Sequence, residues 1–69
     1  MNLRVLMEAY KYGLKLQHKN GNVYSLEEMS EVKIKGEWLT CLTYRDDLTR
    51  TMYVRCVGDF NNFEVYVNV

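Results

Sequence analysis

The side chains best suited to recognise a ligand are aromatic and cationic residues concentrated between positions 37 and 57. Tyrosine and tryptophan offer ring surfaces for stacking, and arginine offers a planar guanidinium that forms paired hydrogen bonds with phosphates or carboxylates. The candidate binding residues are Trp38, Tyr44, Arg45, Arg50, Tyr53 and Arg55. Residue types of this kind are typical of protein interfaces, of nucleotide sites and of single-stranded nucleic-acid sites.

Two runs rich in β-branched and aromatic residues, 38–44 and 51–57, must position these side chains. The polar segment 45–50 separates the runs, which is typical of a β-hairpin. With the loop centred between Asp47 and Leu48, facing residues have numbers that sum to about 95. A sum of about 97 would instead place Cys41 directly opposite Cys56. A compact face then holds Leu39, Cys41, Thr43, Met52, Val54 and Cys56, and an aromatic face holds Trp38, Thr40, Leu42, Tyr44, Tyr53, Arg55 and Val57.

The two faces of this hairpin predict different surroundings. The compact face can form the core, whereas the aromatic face must meet the rest of the chain, a second subunit or a ligand; the sequence leaves open which face is the core. The plainer alternative is that the rings nearest the helix pack beneath it, against Leu6, Met7 and Tyr10.

Length and composition indicate one neutral domain spanning residues 1–69. Nine basic residues balance nine acidic ones, which argues against a disordered acidic chain and against a strongly basic nucleic-acid arm. A chain of this size buries only about 60% of its unfolded surface, so we expect oligomerisation. No apolar run reaches about 18 residues and the first residues lack a secretory pattern, so we expect a cytoplasmic protein without membrane contact.

Catalytic and metal-binding patterns are sparse in this sequence. His18 is the only histidine, and a Cys–His dyad would require the fold to bring it to Cys41 or Cys56, which we expect to be buried free thiols. The four glycines stand singly, which does not match a phosphate-binding loop. We therefore expect no enzyme activity, no metal and no cofactor.

Local signals predict a helix followed by short strands. Asn2 is a good N-cap, apolar residues follow at helical spacing, and Gly13 suits a left-handed cap, so a helix should span about 3–12. Alternation predicts a strand over 14–18 with Leu14 and Leu16 inward, and Asn20-Gly21 predicts a type I′ turn. The segment 23–25 should return from that turn.

The remaining signals complete a meander. Ser25 and Glu28 match a capping box, which predicts one helical turn. Alternation predicts a strand over 31–35 with Val32 and Ile34 buried, a reversal at Gly36, and a last strand over 63–69. In that last strand we expect four inward residues, Phe63, Val65, Val67 and Val69. The fold class is α+β, an N-terminal helix followed by a five- or six-stranded antiparallel meander that forms a strongly bent sheet or a small SH3-like barrel.

Two short patterns resemble known groups of small proteins. The opening helix, Gly13 and the hairpin 14–22 look like the start of many small bacteriophage accessory proteins, although Leu14 stands where lysine is usual. The hairpin residues His18, Gly21, Asn22 and Tyr24, followed by Tyr53-Val54-Arg55, are similar to small uncharacterised bacterial barrel domains. The resemblance implies a protein that acts by binding, either blocking a host or defence enzyme or sequestering a signalling nucleotide.

The leading hypothesis is a non-enzymatic, homo-oligomeric binding protein that inhibits or modulates a host or defence protein through the aromatic hairpin face. Its basis is the excess of aromatic side chains over what one small core can hold. The alternative is a nucleotide-sequestering protein, or a single-stranded nucleic-acid binder, that uses Arg50, Tyr53 and Arg55. Zero net charge makes nucleic acid the weaker of these ligands, because phosphate contacts dominate that affinity.

Overall fold

The computed structural model describes residues 1–67 as one helix and a five-stranded antiparallel sheet. The elements are α1 (Leu3–Tyr12), β1 (Leu16–His18), β2 (Val23–Ile34), β3 (Glu37–Asp46), β4 (Met52–Cys56) and β5 (Phe63–Val65). The strand order in the sheet is β4-β3-β2-β1-β5. The α+β class and the antiparallel sheet predicted from the sequence are therefore confirmed.

Helix α1 has the bounds and caps that its sequence predicts. The Asn2 Oδ1 atom accepts a hydrogen bond from the Val5 amide at 2.9 Å, and Gly13 adopts a left-handed φ of 68°. The Leu14 amide donates to the Ala9 carbonyl at 2.9 Å, which completes a Schellman cap. Because Leu14 still belongs to this cap, β1 begins only at Leu16, and the prediction that Leu14 points inward is wrong.

The first hairpin turn differs in type from the prediction. The His18 carbonyl accepts a hydrogen bond from the Gly21 amide at 2.8 Å, and the His18 backbone amide donates to the Asn22 carbonyl at 2.9 Å. In this loop only Gly21 has a positive φ. These features describe a three-residue loop with a glycine bulge. The type I′ turn lies instead at Lys35 and Gly36, whose φ values are 49° and 82°.

The segment predicted to form a helical turn is part of β2. Ser25 pairs with Arg45 and Glu28 pairs with Thr43, while a bulge at Glu27 shifts the register between them. The capping-box prediction was wrong because pairing with β3 satisfies the backbone groups that a helix would otherwise use. The Ser25 hydroxyl donates instead to the Asp47 carboxylate at 2.6 Å.

The central hairpin exists, but its register is shifted by two residues from the prediction. Tyr44 faces Tyr53, and Cys41 faces Cys56. Asp46 causes the shift because it remains in β3: its amide donates to the Thr51 carbonyl and its Oδ1 accepts from the Leu48 and Thr49 amides. A shift of two residues leaves every side chain on its expected face.

The core lies on the aromatic face, which we call the inner face of the sheet; the opposite side is the outer face. The buried core cluster consists of Leu6, Ala9, Leu16, Tyr24, Leu42, Tyr44, Phe60 and Phe63. The compact face, which the sequence allowed as the core, is not the core, since Met52 and Val54 on that face are 54% and 61% exposed. The alternative of packing beneath the helix is confirmed for Leu42 and Tyr44 and not for the exposed Trp38 and Tyr53. The inner face is buried because α1 and the 57–63 segment both pack against it.

The sheet is open and not closed into a barrel. Strands β4 and β5 lie at its two ends and are not paired with each other within residues 1–67. The guanidinium carbon of Arg55 in β4 nevertheless lies 5.4 Å from the ring centroid of Phe63 in β5, so side chains span the gap between the two ends. The SH3-like closure therefore remains a sequence-based expectation that this open sheet does not display.

The last strand is shorter than the alternation predicts. Strand β5 ends at Val65, and Val67 is 70% exposed rather than inward. After one further hydrogen bond, from the Tyr66 amide to the Lys15 carbonyl, pairing stops because the partner segment leads back into the helix cap at Leu14. The prediction for Val69 lies outside the described residues.

Strands β2 and β3 continue past the other strands as a two-stranded arm, residues 31–40. At its end Ile34 is 42% exposed and Trp38 is 65% exposed. Val32 is only half-buried, so the predicted burial of Val32 and Ile34 is wrong. No second layer covers this part of the hairpin in the described residues, and the arm contributes to the 43 Å length of the protein.

The Asp47 carboxylate ties the β3–β4 loop to the start of the chain, and its replacement by asparagine should reduce the acid sensitivity of the fold. The hydrogen bond from Lys15 has the largest effect and the one from Ser25 the second largest, and together they hold the pKa of Asp47 below its ordinary value of 3.8. Near pH 3.8 the unfolded chain therefore binds more protons than the folded one. The ionised Asp47 carboxylate stabilises the folded state above about pH 4, and this contribution is lost as the pH falls further.

Urea denaturation at a series of pH values measures this effect. In D47N the decline of the unfolding free energy between about pH 4 and pH 2 should be shallower than in the parent protein. The exposed Glu64→Gln variant carries the same change of net charge and measures how much of the change in slope comes from net charge alone. Equal slopes in D47N and the parent would contradict the assignment.

Candidate functional site

A polar cleft of about 280 Å³ opens on the inner face of the sheet. Every strand contributes at least one side chain to it, so the site exists only when the sheet is assembled. The lining residues are His18, Asn20, Asn22, Tyr24, Tyr44, Tyr53, Arg55 and Phe63. The cleft therefore combines aromatic rings, amides, one imidazole and one guanidinium.

Aromatic rings in mutual contact form the floor of the cleft. The Tyr44 ring is buried and stacks on Tyr53, with centroids 5.6 Å apart and an interplanar angle of 28°. Tyr24 approaches Tyr44 edge-on at 5.2 Å, and Phe63 does so at 5.7 Å. Such edge and offset contacts stabilise ring clusters, so this floor is already formed without a ligand.

Arg55 is held in one orientation by three contacts. Its Nε donates to the Tyr44 hydroxyl at 3.0 Å, and its Nη1 donates to the Asp59 carbonyl and carboxylate at 3.3 and 3.2 Å. The hydrogen bond with Tyr44 raises the pKa of Arg55 above its ordinary value, so the group stays charged. No partner for Nη2 is found within residues 1–67, and this nitrogen can donate to an anion.

The β1–β2 turn places polar groups on the other side of the cleft. The backbone amide of Asn20 donates to His18 Nδ1 at 3.1 Å, and the backbone amide of Asn22 donates to Asn20 Oδ1 at 2.9 Å. Because Nδ1 of His18 is an acceptor, Nε2 carries the hydrogen of the imidazole. His18 thus shares hydrogen bonds with a turn, as its position next to Asn20-Gly21 indicates.

Three of the six predicted binding residues meet in this cleft and three do not. Tyr44, Tyr53 and Arg55 line it. Arg45 lies on the outer face, where its Nη2 pairs with Glu27 Oε1 at 2.8 Å. Arg50 is in the exposed β3–β4 loop with a φ of 68°, and Trp38 is near the end of the arm.

Sequence reasoning did not assign the remaining lining residues to the site. His18, Asn22 and Tyr24 were noted only as a hairpin pattern that occurs together with Tyr53-Val54-Arg55. The structure places both patterns around one cleft, although about thirty residues separate them. That joint occurrence was the signal available in the sequence; Phe63 showed none, since its alternation indicated only an inward strand residue.

The arm presents a different kind of surface. Trp38 is 65% exposed, and the Lys33 Nζ lies 5.8 Å from its ring centroid. The Thr40 hydroxyl donates to Glu31 across the two strands at 2.8 Å. An exposed indole beside a cation, on a projection from the body of the protein, is typical of a contact point for another macromolecule.

Cys41 and Cys56 are free thiols that face each other on the outer face. Cys41 is buried, Cys56 is half-buried, and their sulfur atoms lie 3.6 Å apart. Burial, followed by the hydrogen bond with Cys56, raises the pKa of the Cys41 thiol, so it is protonated at neutral pH. His18 lines the inner face, so the sheet separates it from both cysteines.

Residues 1–67 show neither a metal-binding cluster nor a membrane-spanning helix. No group of three or more histidine, cysteine, aspartate or glutamate side chains is arranged to hold a metal ion in this part of the chain. In the same range, no helix combines the length and apolar character needed to cross a membrane.

Comparisons with known proteins do not place the chain in a family. No protein-family model matches the sequence, and neither the curated proteins nor the solved structures yield a significant match. Function is therefore inferred from the cleft and the arm themselves.

Proposed function

We propose that the protein is a non-catalytic binding protein that retains a small phosphorylated ligand with an aromatic ring, such as a nucleotide, in the inner-face cleft. The observation that supports this proposal is the orientation of Arg55, whose Nε and Nη1 are held by Tyr44 and Asp59 above a preformed aromatic floor. An oriented guanidinium beside rings suits a phosphate attached to a base, because one group binds the charge and the other stacks.

The dimensions and charge of the site favour a compact ligand over a polymer. Small-molecule pockets usually measure about 300–1,000 Å³, and this cleft, at about 280 Å³, is slightly smaller than that range. The net charge of zero offers no extended basic track for a phosphate backbone. A single nucleotide satisfies both conditions better than a nucleic-acid strand does.

Retention of a ligand, rather than its conversion, fits the chemistry of the lining groups. The imidazole of His18 accepts from the turn at Nδ1, and the guanidinium of Arg55 cannot act as a base. Hydrogen bonds that orient the ligand can come from the side-chain amides of Asn20 and Asn22 and from the tyrosine hydroxyls. A phage accessory protein that sequesters a signalling nucleotide would belong to this class, as the resemblance of the opening hairpin implies.

Calorimetric titration with nucleoside mono-, di- and triphosphates, the matching nucleosides and inorganic phosphate tests the proposal. Nucleotides should bind more tightly than either fragment. Replacement of Arg55 by methionine keeps most of the side-chain length and removes the charge, so affinity should fall about 10- to 100-fold, which is the contribution of hydrogen bonds from a charged group. The affinity should also decrease with added salt.

Arg45→Met is the matched control, because Arg45 lies on the outer face of the sheet, away from the cleft. This variant should bind nucleotides as the parent protein does. Absence of nucleotide binding at millimolar concentration would overturn the proposal. Equal losses in R55M and R45M would overturn the assignment of the cleft as the binding site.

A second candidate function, inhibition or modulation of a host or defence protein, is favoured by the exposed Trp38 on the arm. Exposed tryptophan is enriched among the residues that dominate protein interfaces. This version of the hypothesis moves the contact point away from Tyr44, which is a core residue. It also fits the resemblance to phage accessory proteins that act by binding.

Site-specific photo-crosslinking in the producing cell tests this second function. A photoreactive phenylalanine analogue at position 38 should give one discrete adduct with a partner protein. The same analogue at Leu48, which is 89% exposed in the β3–β4 loop, should not give that adduct. Identical adducts at both positions, or none at position 38, would argue against the arm as a partner-binding surface.

A further inference from the structure

Strand β4 is an edge strand whose outward backbone groups are unpaired in the sheet. Within residues 1–67 its only neighbour in the sheet is β3, with which it pairs from Met52 to Cys56. The Asp46 amide donates to the Thr51 carbonyl, and the Val57 amide donates to the Thr40 carbonyl, so odd-numbered residues in this stretch bond to β3. By alternation, the N–H and C=O groups of Met52, Val54 and Cys56 point away from the sheet. The Cys56 carbonyl accepts from the Asp59 amide at 2.9 Å, so the edge is open from Met52 to the Cys56 amide.

The other edge of the sheet is protected, and β4 is not. Strand β5 has only three residues, and Met1, Asn2 and Val5 lie beside it. Proteins usually protect an exposed edge with lysine, proline or a bulge. Strand β4 has none of these, and its one charged side chain, Arg55, is held by Tyr44 and Asp59. Met52, Tyr53 and Val54 are 54%, 43% and 61% exposed.

We propose that β4 pairs with β4 of a second copy of this chain across a two-fold axis at Val54, which joins the two sheets into one. Antiparallel pairing about that axis sets Val54 opposite Val54 and Met52 opposite Cys56 of the second copy. Val54 then forms a hydrogen-bonded pair with Val54 of the second copy that exchanges two backbone hydrogen bonds. The Cys56 amide of each copy donates to the Met52 carbonyl of the other, while the Cys56 carbonyl keeps its hydrogen bond from the Asp59 amide. The edge is thus complementary to itself, as a two-fold interface requires.

The side chains agree with this register on both faces. On the outer face, the exposed Met52 and Val54 side chains of the two copies form one apolar strip. On the inner face, Tyr53 of one copy lies opposite Arg55 of the other, which places a cation next to a ring that is 43% exposed. Because Tyr53 and Arg55 also line the cleft, each copy adds a guanidinium next to its neighbour's cleft.

Sedimentation velocity over about 5 µM to 1 mM tests the pairing directly. The parent protein should dimerise within this range, and Val54→Lys should weaken the dimer at least about tenfold, because two like charges would face each other at the axis. Val67→Lys is the matched control, since Val67 is 70% exposed and lies outside every strand. Its dissociation constant should equal that of the parent.

Hydrogen exchange distinguishes this dimer from one formed by packing of the outer faces. The amides of Tyr53 and Arg55 should exchange slowly at every concentration, because β3 already accepts their hydrogen bonds. The amides of Val54 and Cys56 should become slow only as protein concentration rises. A dimer without that alternating protection would overturn the proposed register.

Covalent capture gives a result that does not depend on the folding of a lysine variant. In a background with Cys41 and Cys56 replaced by serine, Val54→Cys should form an intermolecular disulfide under mild oxidation with diamide, and Val67→Cys should not. A monomer at every concentration, or equal cross-linking of the two variants, would overturn the inference. Nucleotide affinity of the monomeric Val54→Lys variant is measured separately, so failure of the dimer leaves the cleft proposal open to its own test.

Discussion

Replacement of Phe60 by alanine is expected to leave much of the protein unfolded at 25 °C. Phe60 is 1% exposed, and its ring centroid lies 5.0 Å from that of Phe63 and 5.5 Å from that of Tyr44. Removing a buried phenylalanine side chain costs about 3–5 kcal/mol. A single core of this size supplies about 3–5 kcal/mol of net stability, so the variant would keep almost none.

Urea denaturation followed by circular dichroism measures this loss. Leu48→Ala is a suitable control because Leu48 is 89% exposed, and it should change the free energy of unfolding by less than about 0.5 kcal/mol. If the free energy of unfolding of Phe60→Ala lies within about 1 kcal/mol of the parental value, the 57–63 segment does not complete the core.

Asp46→Ala should produce the second-largest loss, about 2 kcal/mol. Asp46 is 5% exposed, and its Oδ1 accepts hydrogen bonds from the Leu48 amide at 2.8 Å and the Thr49 amide at 3.1 Å. Alanine would remove the acceptor for two loop donors, and hydrogen bonds to a charged group contribute about 1.5–3 kcal/mol. The same bonds set the β3–β4 register, so the loop should also become less ordered.

The substitution Asp46→Asn is the informative comparison for this loss. Asparagine keeps an oxygen acceptor of the same geometry but lacks the charge, so D46N should lose about half as much stability as D46A. Hydrogen exchange at Leu48 and Thr49 should accelerate in D46A more than in D46N. Equal exchange rates in the parent and D46A would contradict the proposed role of Asp46.

Local sequence signals determined the elements whose ends depend on nearby residues. The bounds of α1 follow from Asn2 and Gly13, because an N-cap oxygen and a left-handed glycine act on backbone groups within four or five residues. The faces of the central hairpin follow from alternation alone, because a strand has a period of two. These features were correctly predicted from the sequence, even though the hairpin register was not.

The candidate site was only half predictable for a different reason. Tyr44, Tyr53 and Arg55 drew attention by residue type, but so did Arg45, and only tertiary structure shows that its face is the outer one. His18 and Asn22 looked like turn residues and are turn residues. They join the site because the sheet curls until β1 and β4 border one cleft.

The sequence by itself determined the helix, the hairpins and which side chains share a face, because caps, turns and alternation operate over a few residues. Only the tertiary structure decided which face is the core, since both faces of the hairpin are apolar enough to be buried. The choice depends on where α1 and Phe60 pack, and those contacts join residues far apart in the chain. They bury Leu42 and Tyr44, and they leave Met52 and Val54 on an open edge.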